Sequence, residues 1–446
     1  MRRPFFAAAF LTLAFTCGCS ALIYMTGSQA KPITDEVCGR RIPVYRDAGY
    51  LIARASMHVH STYSDGQRDM DVLPDLARCE GMAILGLNDH AVGKVCWREG
   101  VCLSFNGIER HGYKAYLDNI GRIKAKNPDL IILPGVEAMP YIYNAGKAPN
   151  FLVIGENTHF TVYGITDPAV FDEMPYRDTL RDLSPETFPG LAPYQRYIDY
   201  INHHGGIINA VHVDSEMDSF YGPAHFFMEG PVHGIHDLRG LCAFSILPEG
   251  YSPLAGGAGG AWDAALAEYT LGDRHQVPWA LGDSDYHEVT DTLGWATTLF
   301  YLREFSETEV YAAMREGRMV ALMGSVFNDS YVAEFSVADG GKAPERPVMF
   351  AEKISVSSAP VIRFHLNRPV PGVSARLVRN GRVVHSTAGC DFEYTDREMF
   401  ERGLPAYYRV ELTGPVRPGV HGESPHHETA SELRTNPIFV YPRSSK

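Results

Sequence analysis

Five short apolar segments, each followed closely by histidine or carboxylate side chains, constrain the fold of this 446-residue chain more than any other feature. The apolar segments are residues 51–56, 83–88, 130–136, 206–211 and 277–282, and the polar groups after them are His58 and His60, Asp89 and His90, Glu137, His212, and Asp283, Asp285 and His287. Short apolar runs of this kind are typical of buried strands. In a parallel βα barrel the carboxyl ends of all strands meet on one rim, where enzymes of this fold keep their chemistry. The pattern therefore predicts an α/β barrel with a polar cluster on one rim.

The first segment leads into His58-Val59-His60, and the chain then turns at Asp65-Gly66. Side chains in a strand alternate between its faces, so His58 and His60 are expected to point the same way. Imidazole and carboxylate ligands together suit Zn, Mn or Fe and do not choose among them. The alternative is two polar residues on an exposed edge strand, and the four later segments weigh against it.

These residues resemble the PHP (polymerase and histidinol phosphatase) superfamily of metallohydrolases over about residues 50–325. The matching motifs are His58-x-His60-x4-Asp65-Gly66, Asp89-His90, Gly135-Val136-Glu137, His212 and Ser284-Asp285-x-His287. The later part of the chain resembles the carbaryl-hydrolase-type branch, in which a small β domain follows the barrel. The resemblance implies a distorted TIM-like barrel at residues 51–325 and an antiparallel β-sandwich at 343–446.

The resemblance also implies two or three divalent metal ions and assigns ligands to them. The first metal is assigned His58, His60, Glu137 and Asp285, the second Glu137 and His212, and the third Asp65, His90 and His287. Glu137, His212 and Asp285 are the predicted catalytic residues. In the family a further histidine precedes a strand after the glutamate, but Asn150 takes that place here, and His159 follows nine residues later. The second metal is therefore expected to bind more weakly, to use an additional water, or to be absent.

Asp89, Asp283 and Asp214 are interpreted as carboxylates that orient imidazoles, with simple capping of strand ends as an equal alternative. Lys94, Arg110 and His111 lie on predicted rim loops and are the candidate substrate-binding residues. Guanidinium and ammonium groups suit phosphate. Aromatic residues at 220–227 would instead suit an aryl ester.

The predicted function is a hydrolase that uses a metal-bound hydroxide, most simply a phosphoesterase acting on a small phosphate ester. A carboxylic or carbamic ester hydrolase is the alternative, and a non-catalytic exported binding protein on the same barrel is a lower one. The net charge of -13 disfavours nucleic acid as a partner, because duplex binding depends on cationic side chains. A small-molecule ester is therefore the expected partner.

The first residues predict export. Arg2 and Arg3 precede an apolar run at 4–16, and Cys19 follows at a lipoprotein-like cleavage site. An uncleaved anchor is the alternative, since apolar residues continue to residue 25. Residues 1–26 are thus a predicted signal peptide or anchor, 27–50 a tether, and the body a membrane-anchored lipoprotein on the periplasmic side. In that compartment Cys96 and Cys102 are the most plausible local disulfide pair.

Local patterns predict several further elements. Tyr116, Ile120 and Ile123 mark one face of a helix, and Ser306 opens another as the first residue of a capping box. Residues 249–260 are rich in glycine, alanine and proline and are interpreted as loop. Short period-two runs follow residue 343, with a type I′ hairpin turn at Asn380-Gly381.

Overall fold

The computed structural model describes residues 44–96, 102–141, 143–144, 149–154, 158–175, 190–213, 215, 217–221, 223–229, 234–247, 253–340, 342–415 and 430–443. The predicted signal peptide or anchor, Cys19, most of the tether and Asp214 lie outside these residues. Within them, no helix is long and apolar enough to cross a membrane.

Strands and helices alternate through the first three quarters of the chain. The strands are β1 Val44–Asp47, β2 Tyr50–Val59, β3 Ile84–Leu87, β4 Lys94–Cys96, β5 Cys102–Ser104, β6 Ile131–Ala138, β7 Tyr143–Asn144, β8 Asn150–Ile154, β9 Phe160–Tyr163, β10 Ile207–Ala210, β11 Met217–Tyr221, β12 Ala224–Glu229, β13 Ala243–Leu247, β14 Trp279–Gly282, β15 Ala296–Leu302 and β16 Met319–Met323. The helices are α1 Leu73–Glu80, α2 Ile108–His111, α3 Tyr113–Lys126, α4 Pro168–Asp172, α5 Ala192–His203, α6 Pro253–Gly256, α7 Ala261–Leu271 and α8 Glu307–Glu316, with 3-10 turns at Met70–Val72 and Ile235–Asp237.

The rest of the described chain is mainly β. Its strands are β17 Val332–Asp339, β18 Lys353–Val356, β19 Pro360–Leu366, β20 Ser374–Arg379, β21 Arg382–Ala388, β22 Phe392–Thr395, β23 Ala406–Thr413, β24 Glu432–Thr435 and β25 Ile438–Pro442, and one helix, α9 Arg397–Arg402, lies among them.

All five predicted segments form strands that run in one direction. β2, β3 and β6 pair in parallel, and so do β10, β13 and β14. β9 joins the two sets, antiparallel to both β6 and β10. The carboxyl ends of β2, β3, β6, β10 and β14 therefore lie on one edge of a sheet that contains parallel and antiparallel strands. The polar groups that follow these strands are thereby brought together.

The side chain of Asn436 bridges β14, at one end of this run of strands, to β16. Asn436 Oδ1 accepts from Ala280 N of β14 at 2.7 Å, while Asn436 Nδ2 donates to Ala280 O at 3.3 Å and to Met319 O of β16 at 3.0 Å. Thr298 Oγ1 of β15 also donates to Gly282 O at 2.7 Å. Among the described strands no backbone ladder joins β14 to β16. Closure of a barrel by backbone pairing thus stays a prediction.

The large sheet continues into the C-terminal part, because β16 pairs with β24 and the order then runs through β23, β20 and β21. A separate sheet of β17, β19 and β22 lies beside it. Both sheets contribute to one buried apolar cluster, which includes Phe335, Phe364, Leu377 and Val410. The same cluster takes in Ile52 of β2, so the C-terminal part covers the outer face of the first sheet. The sandwich assignment and the boundaries at 325 and 343 stay predictions.

Most of the local predictions are confirmed. Helix α3 buries Tyr116, Ile120 and Ile123. Ser306 Oγ accepts from Glu309 N at 3.2 Å at the start of α8. Asn380 and Gly381 both have positive φ, 48° and 76°, as a type I′ turn requires.

The loop predicted at 249–260 is wrong in part, because Pro253–Gly256 forms a helical turn. Proline is compatible with the first turn of a helix, so it did not exclude one. A Cβ added at Gly256 would lie 2.8 Å from Ile246 Cβ, so glycine at this position allows close packing.

Candidate metal centre

The side chains of the eight predicted metal ligands lie together at the carboxyl ends of the parallel strands, and His159 lies among them. Three overlapping groups have ligand atoms close enough to hold a metal ion. They are His60, Asp65, His90 and His287; His58, His60 and Glu137; and His90, Glu137 and His159.

Glu137, at the end of β6, is the hub of the centre, and its side chain is 1% exposed. Its two carboxylate oxygens lie near five imidazoles. Oε2 is 2.8 Å from His90 Nδ1, 3.2 Å from His58 Nε2 and 3.3 Å from His60 Nε2, and Oε1 is 2.8 Å from His159 Nδ1 and 3.1 Å from His212 Nε2. The Glu137 carboxylate thus contacts all the candidate histidine ligands except His287, which follows β14.

Asp285 brings a second carboxylate oxygen to the two imidazole nitrogens that face Glu137 Oε2. Asp285 Oδ1 lies 3.3 Å from His58 Nε2 and 3.4 Å from His60 Nε2, which matches the 3.2 and 3.3 Å from those nitrogens to Glu137. Tetrahedral ligands with bonds of about 2.1 Å are roughly 3.4 Å apart. His58 Nε2, His60 Nε2 and Glu137 Oε2 are buried and have no hydrogen-bond partner within the described residues. Buried polar atoms are rarely left so, and a divalent cation would satisfy all of them.

A second convergence centres on Asp65. Its Oδ1 lies 3.3 Å from His287 Nε2 and 3.4 Å from His60 Nδ1, and its Oδ2 lies 3.5 Å from His90 Nε2. Asp65 Oδ1 is itself buried without a hydrogen-bond partner among the described residues. His90 faces both convergences, one through each ring nitrogen.

His159 is a candidate ligand that the sequence analysis discounted. The interpretation that Asn150 replaces the family's histidine is wrong, because Asn150 is exposed at the start of β8 in a separate four-stranded sheet of β11, β12, β8 and β7. His159 directly precedes β9, the strand that pairs with β6 and β10, and its Nδ1 reaches Glu137. The apolar run Phe160–Tyr163 could have identified His159 as the histidine before a strand. The strand β8, which lies between β6 and this run, places His159 later in the chain than expected.

Three candidate ligands have left-handed backbone conformations that side chains other than glycine rarely adopt. The φ angles are 64° at His58, 31° at His212 and 44° at Asp285. The β2–β3 ladder shifts register between Ser56 and Val59, so His58 lies in a bulge and simple alternation does not aim the two imidazoles. Such strain costs about 1–3 kcal/mol per residue and concentrates at functional sites.

Asp283 orients His58 as predicted, because its carboxylate oxygens lie 3.1 and 3.3 Å from His58 Nδ1. Asp89 follows the alternative, the capping of a strand end. It accepts from Ser61 N at 2.7 Å and from Ser64 Oγ at 2.8 Å, and Ser64 Oγ lies 3.1 Å from His60 Nδ1. Asp89 therefore holds the loop after β2 and reaches an imidazole only through Ser64.

Burial opposes protonation of His58, His60 and His90, but the carboxylates of the centre raise the pKa of all three, whereas burial lowers the pKa of His159. Burial lowers the pKa of His90, but the carboxylates of Glu137 and Asp65 outweigh it and raise that pKa to about 10. Burial raises the pKa of Glu137, and His90 and His58 reverse this and hold it well below its ordinary value. A metal ion must therefore displace protons from the centre, so its binding weakens as pH falls.

Two of the predicted substrate-binding residues lie at the end of α2, where Arg110 and His111 are both exposed. His111 Nε2 lies 3.0 Å from Asn106 Oδ1, and Asn106 Nδ2 donates to Thr62 O at 2.9 Å, so His111 is linked to the loop that carries Asp65. Arg110 has no salt bridge within the described part of the chain. The side chain of Lys94 lies outside the described residues. A role in substrate binding stays a prediction for all three.

Fold and centre together define a mixed α/β protein with a buried cluster of imidazoles and carboxylates that could hold divalent cations. No protein-family model and no curated protein matches the chain. A two-domain protein from Bacteroides vulgatus with a predicted PHP-like metal-dependent phosphoesterase is 12% identical, over 83% of this chain and 93% of that one, with a TM-score of 0.42.

Two further solved structures are similar at low identity. A proposed metal-dependent phosphoesterase from Bifidobacterium adolescentis is 13% identical, over 52% of this chain and 87% of its own, with a TM-score of 0.29. An amidohydrolase from Chromobacterium violaceum, with sulfate bound and no metal, is 16% identical, over 59% and 96%, with a TM-score of 0.28. At these identities and TM-scores the likenesses establish neither a shared fold nor a shared activity.

Proposed function

We propose that this protein is a metal-dependent hydrolase of the PHP type that acts on a small phosphate ester. The observation that carries the proposal is the convergence of His58, His60, Glu137 and Asp285: His58 Nε2 and His60 Nε2 each lie 3.2–3.4 Å from a carboxylate oxygen of Glu137 and from one of Asp285. Three of these atoms are buried and lack hydrogen-bond partners among the described residues. Two of these four residues, His58 and Asp285, also have left-handed backbone conformations, which concentrate at functional sites.

The ligand sets in this proposal follow the family resemblance, with His159 added because its Nδ1 lies 2.8 Å from Glu137 Oε1. The first cation is held by His58, His60, Glu137 and Asp285, the second by Glu137, His159 and His212, and the third by Asp65, His90 and His287. Divalent ions in such sets lower the pKa of a bound water towards about 7 and offset negative charge on the substrate. The chain's own contribution is orientation: Asp283 fixes the ring of His58, and Ser64 fixes that of His60.

The anionic substrate follows from charge. In a protein of net charge -13, attraction for an anion must be local, and the cations together with Arg110 and His111 would supply it. A carboxylic or carbamic ester is the second candidate. Phe220, at the tip of the β11–β12 hairpin that follows His212, favours it, because its side chain is 71% exposed and could contact an aryl group.

The proposal is tested with p-nitrophenyl phosphate, bis-p-nitrophenyl phosphate, p-nitrophenyl acetate and naphthyl carbamate. Wild type and His60→Ala are assayed with and without Zn or Mn. We expect metal-dependent turnover of the phosphates that His60→Ala removes. Metal-dependent turnover of the carbon esters alone would select the second candidate, and turnover that survives in His60→Ala would contradict a reaction at this centre.

His159→Ala should lower the metal content by one ion per chain. His159 Nδ1 lies 2.8 Å from Glu137 Oε1, and His212 is the other imidazole described near that oxygen. Elemental analysis of protein saturated with Zn or Mn measures this directly. His225→Ala is the matched control, since His225 of β12 pairs with Asp218 of β11 and belongs to none of the converging groups. An unchanged metal content in His159→Ala would remove this residue from the ligand set.

We also propose that the protein is exported and held at the cell envelope by lipid on Cys19. Supporting features are the basic and apolar residues before Cys19 and the disulfide bond of Cys79, since disulfides persist in oxidising compartments. A palmitate analogue should label the wild type and not Cys19→Ser. Intact Met1 in the membrane fraction would instead indicate an uncleaved anchor.

A further inference from the structure

A cavity of about 370 Å³ lies at the other end of the strands from the metal centre. Tyr50, the first residue of β2, and Trp279, the first residue of β14, both line it. The same two strands carry His58 and Asp283 at their opposite ends. At about 3.3 Å per residue, Tyr50 and His58 are about 26 Å apart along β2. The cavity is therefore separate from the candidate metal centre.

Aromatic rings form much of the cavity wall, and the polar atoms of two of them, Trp279 and Tyr301, are already hydrogen-bonded elsewhere. Trp279 Nε1 donates to Arg315 O at 3.0 Å. Tyr301 OH donates to Val332 O and accepts from Val332 N, each at 2.9 Å. Phe350 packs edge-on against Tyr301, with ring centroids 5.0 Å apart. These side chains thus offer apolar surface to whatever occupies the cavity.

Charged side chains form the rest of the lining, with three guanidinium groups against two carboxylates. Arg303 Nη2 and Arg318 Nε each lie 2.8 Å from Glu316 Oε2, and Arg346 Nη2 lies 2.8 Å from Glu352 Oε1. Outside the lining, Lys353 Nζ lies 4.5 Å from the centre of the Tyr269 ring, which faces the cavity. Within the lining, three guanidinium groups thus face two carboxylates, and Glu309, which lies outside the lining, also pairs with Arg318.

Arg318 adds an observation that points to a ligand. Its side chain is 6% exposed and lines the cavity, yet its Nη2 has no hydrogen-bond partner among the described residues. Glu309 Oε1 lies 2.8 Å from that nitrogen but outside hydrogen-bond alignment. A guanidinium N–H bonds to an acceptor that lies along its direction, so the nearby charge of Glu309 does not by itself satisfy this nitrogen. Arg318 Nη2 thus retains donor capacity at the wall of a partly open, partly aromatic cavity.

From these features we propose that the cavity binds a small organic anion, namely an aromatic carboxylate. A carboxylate matches the planar donor fork of a guanidinium group, and an aromatic body matches the wall of Trp279, Tyr301 and Phe350. The volume is near the lower end of the range of ligand pockets, about 300–1,000 Å³. A ligand of the size of benzoate suits it. This site does not depend on the proposed hydrolase activity.

The test measures binding of benzoate to the full-length protein by titration calorimetry and by saturation-transfer NMR, after removal of metal ions with a chelator. Benzamide has the same shape without the charge, and inorganic phosphate has the charge without the ring. We expect benzoate to bind at least about ten times more tightly than either, since one charge-assisted bidentate contact is worth more than 1.4 kcal/mol. Equal binding of benzamide, tighter binding of phosphate, or no binding of benzoate would each overturn the proposal.

Arg346→Ala should weaken benzoate binding at least about tenfold, because Arg346 lines the cavity and its side chain is 56% exposed, so its loss should leave the fold intact. Arg303→Ala is a second variant of the same kind. The matched control is Arg368→Ala, whose side chain is 48% exposed and pairs with Asp329 away from the cavity. Equal affinity in Arg346→Ala, Arg303→Ala and Arg368→Ala would place the anion elsewhere and contradict the assignment.

Discussion

Replacing Glu137 with glutamine should remove bound metal and lower turnover by about 10³-fold, which corresponds to roughly 4 kcal/mol. The reason is that both carboxylate oxygens are engaged, with five imidazole nitrogens within 3.3 Å of them. A glutamine keeps the shape but has no negative charge, and its amide nitrogen is not a metal ligand. Metal content by elemental analysis and turnover of the substrate that wild type hydrolyses are the two measurements.

Glu334→Gln is the matched control for Glu137→Gln. Glu334 lies on β17 in the C-terminal part, and its nearest ionic partner is His365 at 3.8 Å. Metal content and turnover should stay at wild-type levels in that variant. If Glu137→Gln retained its full complement of metal, the carboxylate would not be a ligand, and the proposed centre would be wrong.

Arg409→Met should lower the free energy of unfolding by about 3–5 kcal/mol. Arg409 has no exposed surface, and it donates to both oxygens of Asp263 at 2.8 Å and to Glu411 Oε1 at 2.6 Å. Its guanidinium also lies 4.9 Å from the ring centre of Trp262. Methionine fills a similar volume but leaves two buried carboxylates without this partner, so the loss is large. Denaturant unfolding measures it.

Arg402→Met tests whether any lost arginine has the same effect. Arg402 is 65% exposed and pairs with Glu398 one helical turn away, and such pairs contribute at most about 1 kcal/mol. A loss in Arg409→Met no larger than that in Arg402→Met would mean that the buried cluster does not stabilise the packing of α7 on β23.

The sequence was sufficient where the signal is local. Each of the five ligand-bearing strands is a short apolar run, and helix α3 shows its buried face at intervals of three and four residues, so both could be predicted from neighbouring residues. The convergence of His58, Glu137 and Asp285 also followed, because parallel strands place their carboxyl ends together.

The features that the sequence did not reveal depend on insertions or on distant residues. His159 was displaced from its expected spacing by a strand of a separate sheet. The bulge at His58 leaves no mark in a pattern of apolar residues. The cavity unites Tyr50, Trp279 and Phe350, which no periodicity relates. Asn436 bridges two strands that precede it by more than a hundred residues, and a lone asparagine gives no indication of such a contact.

Asn436 has a consequence for the order of events during synthesis. Until residues 432–436 have been made, β16 lacks its partner strand β24, and Ala280 of β14 and Met319 of β16 lack the side chain of Asn436, so both strands have an exposed edge. At about 5–20 residues per second, residue 436 follows the end of β16 by roughly 6–20 seconds. For that interval the nascent N-terminal part presents open strands that could pair with another chain. A chain truncated before residue 436 would keep these strand edges exposed, and we expect it to aggregate.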